Sequence, residues 1–265
     1  MALLSVVIPS YRDILLHKTI DSLLENSELP VDQMEIIVVL DSYWPETPIR
    51  NDKRIKTIHS TTNLGMRDAI NAGVAVAQGK FIARFDEHCM VAKGWDRIVT
   101  EGPFEENWIM TLSRHELDPV EWEVMSKEPK NFAKLIICED EAKKKFSAVT
   151  WRSRNKEMAD VEIGETMGMQ GSMWIMHKSW WDKVIGELQT EGYGPLYQDS
   201  VEMVFKTWQA GGKLMLNKKT WYAHKHRSFS RTHNINREDS QRSFDYALKV
   251  WTQHYEEVTR PRFGI

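Results

Sequence analysis

The sequence predicts an α/β fold, an open sheet flanked by helices, and three observations carry that expectation. Apolar, β-branched-rich runs at residues 4–8, 35–41 and 81–85 read as buried strands. Between the first two, Leu16, Ile20, Leu23 and Leu24 recur at helical spacing, and strand, helix, strand in that order makes a parallel pair joined by a crossover. Nothing in the 265 residues reads as a linker, a composition break or an internal repeat, so one domain is expected.

Taken in order, the first strand stops at Pro9-Ser10, and the helix after it closes at Asn26-Ser27 ahead of Pro30. The strand at 35–41 ends on Asp41, at the carboxyl edge where open α/β sheets bind ligands; a turn or cap role is the plainer alternative for this acid. Residues 55–59 make a third strand, and a small-residue helix through Ala69, Ile70, Gly73, Val74 and Ala77 is stopped by Gly79. The strand at 81–85 follows, then a helical piece from 94–98 and a strand at 108–112. Segment 113–165 is the hardest to assign. Its charge runs, Glu139-Asp140-Glu141 and Lys143-Lys144-Lys145, read as a solvated helix face, and the segment as the variable part that shapes an acceptor site.

A glycine-containing stretch at 167–172 enters the apolar run 173–176, after which Trp180, Trp181, Val184 and Ile185 have helical, core-type spacing. A helix over 201–208 closes at Gly211-Gly212, and Asp199 precedes it as a candidate N-cap. Short strands at 213–217 and 220–223, a polar loop at 228–237 and a helix over 243–255 complete the chain.

Composition narrows the function. A net charge of −3 argues against a globally basic nucleic-acid binder. Cys89 and Cys138, without metal-type spacing, read as free thiols in a reducing compartment, with a single disulfide as the alternative. The N-terminal apolar run lacks a preceding basic segment and a cleavage site, and no run reaches the length of a membrane span, so a soluble protein is expected. No Gly-x-Gly-x-x-Gly or Walker-type loop is present, which disfavours dinucleotide and P-loop chemistry.

The chemistry-bearing stretch is Phe81-Ile82-Ala83-Arg84-Phe85-Asp86-Glu87-His88-Cys89. A carboxylate and an imidazole two residues apart in extended chain share a face. Two protein ligands are too few for a closed structural metal site, but they suit a cation that also holds substrate phosphate oxygens.

With these motifs in view, the chain resembles GT-A glycosyltransferases of the family-2 superfamily. Ser5-Val6-Val7-Ile8-Pro9-Ser10-Tyr11, the strand ending at Asp41 and Asn63-x-Gly65 with Asn71-x-Gly73 are similar to the nucleotide-binding half of that superfamily. Asp86-Glu87-His88-Cys89, the run from Asp199 to Gly212 and His224-Lys225-His226-Arg227 resemble motifs of the polypeptide N-acetylgalactosaminyltransferases. The resemblance implies a GT-A fold with an open mixed sheet, residues 1–112 as the nucleotide-binding half and 113–265 as the acceptor and donor-sugar half. It implies Asp86, His88 and His224 as ligands of Mn²⁺, with Mg²⁺ the alternative, and a UDP-sugar donor bound by Pro9, Tyr11, Asp41, Arg67, Asp86, Glu87 and Arg227. It also implies a sugar and acceptor pocket at Gln170, Gly171, Trp174 and Asp199.

In the family pattern Asp199 falls at a glutamate of the retaining enzymes; shifting the match by one residue would make it an inverting base. A sugar-nucleotide pyrophosphorylase is disfavoured because the N-terminus lacks a glycine-rich, arginine-containing loop, whereas a non-catalytic nucleotide-sugar-binding module stays open. Neither an anchor nor a carbohydrate-binding module is visible, so a cytoplasmic enzyme, bacterial or in a virus-infected cell, is expected. Its acceptor would be a glycan, a protein or modified DNA. Lys218, Lys219, the stretch from His224 to Arg227, Arg231, Arg237 and Arg242 are the basic, polar residues that would serve a polyanionic acceptor, or else a solvated lid.

Overall fold

Alternating burial builds the architecture. In β1 (Leu4–Ser10) Leu4, Val6 and Ile8 enter one apolar cluster with Leu16, Ile20 and Leu23 of α1 (Leu16–Glu25), while Val7 enters another with Ala69, Ile70 and Val74 of α2 (Gly65–Ala75). A strand buried on both faces has to be covered by helices on both, which gives three layers. The computed structural model describes residues 2–125, 128–138, 144–226 and 237–265.

The other strands of the first half are β2 (Met34–Asp41), β3 (Ile55–Ser60), β4 (Phe81–Phe85) and β5 (Cys89–Val91), with α3 (Trp95–Glu101) before β6 (Trp108–Asp118). The second half holds β7 (Glu123–Val124), β8 (Ala133–Cys138), β9 (Lys145–Thr150), α4 (Arg152–Glu157), β10 (Ile163–Glu165) and β11 (Met173–His177). After α5 (Lys178–Trp180), which runs on into a π turn, come α6 (Asp199–Gln209), β12 (Lys213–His224), α7 (Arg237–His254) and α8 (Arg260–Phe263). The main sheet runs β10-β12-β6-β11-β4-β1-β2-β3. Strands β4, β1, β2 and β3 are mutually parallel, and β11 lies antiparallel between β4 and β6, so the sheet is mixed.

Several expectations are corrected. β6 continues past Leu112 to Asp118, so the boundary between the halves falls inside a strand. Lys145 opens β9, paired antiparallel with β8; where it is described, the supposed helix face is a hairpin. Residues 139–143 lie outside the described residues. The two strands expected at 213–217 and 220–223 are one, β12, with a register shift between Asn217 and Trp221 that absorbs the polar Asn-Lys-Lys-Thr. α6 begins at Asp199 itself, preceded by Gln198 in the left-handed region, so Asp199 sits in the first turn rather than capping it. Among the described residues no helix is long and apolar enough to cross a membrane, and both cysteines are free thiols.

Candidate active site

Three strand ends assemble the centre. β4 releases the chain at Asp86, whose backbone N–H donates to Ser172 O at 2.8 Å, and two residues later the chain re-enters the sheet as β5. β5 pairs antiparallel with the end of β12 in a register that sets His224 opposite Cys89, and Lys225 N–H donates to His88 O at 3.1 Å. Residues more than 130 apart in sequence are thereby brought side by side. His224 Nε2 lies 3.1 Å from Asp86 Oδ2, His88 Nε2 lies 3.7 Å from the same oxygen, and the imidazole centroids are 4.9 Å apart.

Electrostatics leave this trio ready for a cation. Burial would raise the Asp86 pKa, but Arg84, His224 and His88 reverse it and hold the carboxyl well below the usual carboxylate range. Burial pushes His224 down to about 4 against the opposing pull of Asp86, so at neutral pH the imidazole is neutral with a lone pair to give. One ligand atom from each of Asp86, His88 and His224 can be chosen so that all lie within 4.8 Å of one another. One carboxylate and two imidazoles suit a divalent transition ion that keeps open positions, so the donor set fits the expected metal. A residue not expected at the site, Asp13, backs the trio: its Oδ2 is 2.9 Å from His88 Nδ1, and its Oδ1 accepts from Leu15 N–H.

Beside the trio, at the carboxyl ends of β1, β2 and β4, lies a cleft of about 50 Å³ lined by Pro9, Tyr11, Asp41, Asn63, Arg84, Asp86 and Glu87. The expected donor residues Pro9, Tyr11, Asp41 and Glu87 therefore gather with Asp86. Glu87 accepts from Tyr11 N–H at 2.8 Å, which fixes the β1 turn to the β4 turn. Asp41 accepts from Leu64 N–H, Gly65 N–H and Asn63 Nδ2, so it also holds the entry to α2.

Arg67 has a different position from the one expected. It is wholly buried, with its guanidinium taken by Tyr197 O, Gln189 O and Glu202 and stacked over Tyr193, and it does not line the cleft. Its work is to tie the segment before α6 to α2. The cation that does line the cleft is Arg84, 1% exposed, whose Nη2 donates to Asp86 Oδ1 at 2.6 Å and whose Nε has no partner. Sequence carried one signal for it: an arginine inside an apolar strand is costly unless it serves a partner or a ligand. Arg227 lies outside the described residues.

Asp199, 6% exposed, presents an Oδ2 with no hydrogen-bond partner among the described residues. Burial raises its pKa, with Arg84 and Arg67 opposing. Gly171 leaves it room: a Cβ there would stand 2.9 Å from that oxygen. Gln170 joins them, its Nε2 3.5 Å from His224 Nδ1 and its Oε1 accepting from Ser172 Oγ. Trp174 does not join the pocket. It sits 0% exposed in β11, stacked on Trp181, because its strand is interior to the sheet with helices over that face. The described members of the basic set are also engaged: Lys218 donates to Met158 O and Ala159 O, Lys219 pairs with Glu162 and Arg242 with Asp239.

The chain belongs to glycosyl transferase family 2, whose model matches residues 5–185, and its mixed sheet, with Asp86, His88 and His224 at the carboxyl edge of the parallel half, has the GT-A fold of a glycosyltransferase. Among individual proteins it is 23% identical to polypeptide N-acetylgalactosaminyltransferase 4 of Mus musculus over 96% of this chain and 44% of that protein, so it spans less than half of that relative's length. Its fold matches the crystal structure of GalNAc-T7 with UDP, GalNAc and Mn²⁺ (TM-score 0.73, 16% identity, 96% of this chain and 50% of that one). It also matches S. aureus TarS (TM-score 0.55, 13% identity, 84% and 37%).

Proposed function

We propose that this chain catalyses transfer of a hexosyl or N-acetylhexosaminyl group from a UDP-sugar to a hydroxyl acceptor, dependent on a divalent metal and with retention at the anomeric carbon. The observation that supports it most is the convergence of Asp86, His88 and His224 between the Pro9–Asp41 cleft and the unpartnered carboxylate of Asp199. Asp86, His88 and His224 would hold Mn²⁺, or Mg²⁺ in its place. When bound, the ion supplies positive charge against the negative charge that develops on the departing diphosphate. Around it, Asp41 and Asn63 face the nucleoside and Tyr11 borders it, while Arg84 meets the phosphate side of the donor. Asp199 accepts a sugar hydroxyl and fixes the ring. The bond from the anomeric carbon to the diphosphate oxygen breaks, the bond to the acceptor oxygen forms on the same face, and the acceptor's proton passes to the departing oxygen.

A second reading makes Asp199 an inverting general base, favoured by its unpartnered Oδ2 and raised pKa. Screening UDP-sugars for Mn²⁺-dependent hydrolysis, with NMR of the first-formed product anomer, tests both. The α-anomer from an α-linked donor supports retention, the β-anomer supports inversion, and no turnover with any donor contradicts the enzymatic reading in favour of a binding module. Among glycan, protein and modified-DNA acceptors the same preparation is assayed side by side, and a cytoplasmic site of action is checked by fractionation.

A further inference from the structure

The β8–β9 hairpin, from the segment whose role the sequence left open, roofs a second and larger cavity of about 310 Å³. α6 forms its opposite wall through Ser200, Val201 and Val204, and Gln170, Gly171 and His226 connect it to the cation trio. The volume is at the lower end of small-molecule pockets, roughly 300–1,000 Å³, which admits one monomer-sized group and not the surface of a folded macromolecule.

Its mouth has an unusual charge arrangement. Arg114 and Lys130 both line it, and they are directly opposed across an antiparallel bridge, Lys130 N–H donating to Arg114 O at 2.7 Å and Arg114 N–H to Lys130 O at 3.2 Å. Like charges placed opposite one another across a strand pair repel. Glu116 answers Lys130 at 2.9 Å. Among the described residues the Arg114 guanidinium meets only His226 Nε2, at 2.6 Å, and an imidazole, which carries no negative charge, does not cancel that of the guanidinium. Across the cavity, Gln198 is in the left-handed region and its buried Oε1 lacks a donor. Among the described residues one wall therefore offers a planar cation with no anionic partner, and the other an acceptor awaiting a hydroxyl.

We propose that this cavity is the acceptor subsite and that it selects hydroxyl acceptors bearing an anionic group, phosphate or carboxylate, held by Arg114 with Lys130 while Gln198 takes a hydroxyl. The proposal rests on the donor reading above, which places the UDP-sugar on the other side of Asp86, and it names the acceptor class. The probes are glucose 6-phosphate, glucuronic acid and methyl glucoside, which share a pyranose ring and differ in charge. Each is titrated calorimetrically into the full chain saturated with UDP and Mn²⁺, so that the donor site is blocked to anions, and again into the nucleotide-free chain. At least one anionic sugar should bind ten or more times more tightly than methyl glucoside, the larger advantage identifying phosphate or carboxylate. Arg114→Gln should cut the advantage below twofold, and Lys130→Gln should reduce it less. Equal affinities, binding of none of the three, or a preference that survives Arg114→Gln overturns the proposal. Urea unfolding of each variant checks the fold. If the wild type takes up no UDP with Mn²⁺, the donor reading fails separately, and the nucleotide-free titration still decides the anion site.

Discussion

His88 Nδ1 lies 2.9 Å from Asp13 Oδ2, and the two side chains are 3% and 1% exposed. A carboxylate so placed accepts a hydrogen bond from Nδ1–H, which favours the tautomer with a free Nε2 lone pair and aims that lone pair at the space shared with Asp86 and His224. Asp13→Asn is nearly isosteric and removes the charge. It is expected to weaken Mn²⁺ binding by about 10- to 100-fold, measured by the loss of free-ion signal in electron paramagnetic resonance, with the unfolding midpoint little changed. Unaltered Mn²⁺ affinity would assign Asp13 to holding Leu15 and the start of α1 alone.

The buried Arg67–Glu202 pair, at 2.5 Å and 0% and 1% exposed, predicts a structural and not a ligand-binding phenotype. Arg67→Met leaves the buried Glu202 with Lys206 as its one remaining charged partner among the described residues, beside the Gln189 N–H, and should cost about 3–5 kcal/mol in urea unfolding. A variant of normal stability with a selective loss of UDP affinity would restore Arg67 to the donor site.

Acid should weaken the metal-free fold through His224. Its folded pKa, about 4, is below the ordinary imidazole value of 6.5, so between those values the unfolded chain binds more protons and stability falls as pH is lowered. The loss begins near pH 6.5, is complete below about pH 4, and is on the order of 3 kcal/mol. Urea unfolding from pH 7 to 4 in a chelator should show this slope, and His224→Asn should flatten it; an unchanged slope in the variant contradicts the assignment. Asp86, held well below the carboxylate range, stays ionised through this window.

Gly171→Ala tests the room left for Asp199. A methyl 2.9 Å from Asp199 Oδ2 forces that carboxylate aside, and misplacement by about 1 Å lowers turnover on the order of 10²-fold. UDP affinity is the internal control, because neither Gly171 nor Asp199 lines the cleft. Full turnover in the variant would remove Asp199 from the reaction.

How far the sequence was readable depends on how local each signal is. β1, β2 and β4 were legible because a doubly buried strand is a run of apolar residues, and α1 because its apolar spacing is helical. Asp86, His88 and His224 were legible as chemistry-bearing types in an ordered set of motifs. Asp13 was not, since nothing near it in sequence reports a partner 75 residues away. Arg84 was overlooked within an apolar run, and Arg67 was placed at the donor when tertiary contacts with Glu202 and Tyr197 use its donors. Trp174 was placed in a pocket because an aromatic after a glycine stretch fits either a pocket or a core, and only sheet order separates them. The β8–β9 hairpin was missed because the charged residues between its strands obscured the alternation of strands with half-exposed faces.

The central claim is that Asp86, His88 and His224 hold an ion that in turn holds the diphosphate of the donor, and calorimetric titration of UDP with and without Mn²⁺ tests it most directly. The account predicts that Mn²⁺ tightens UDP binding at least tenfold in the wild type, and that His88→Ala and His224→Ala, folded by circular dichroism, lose that increment. An increment that survives in both variants would contradict it.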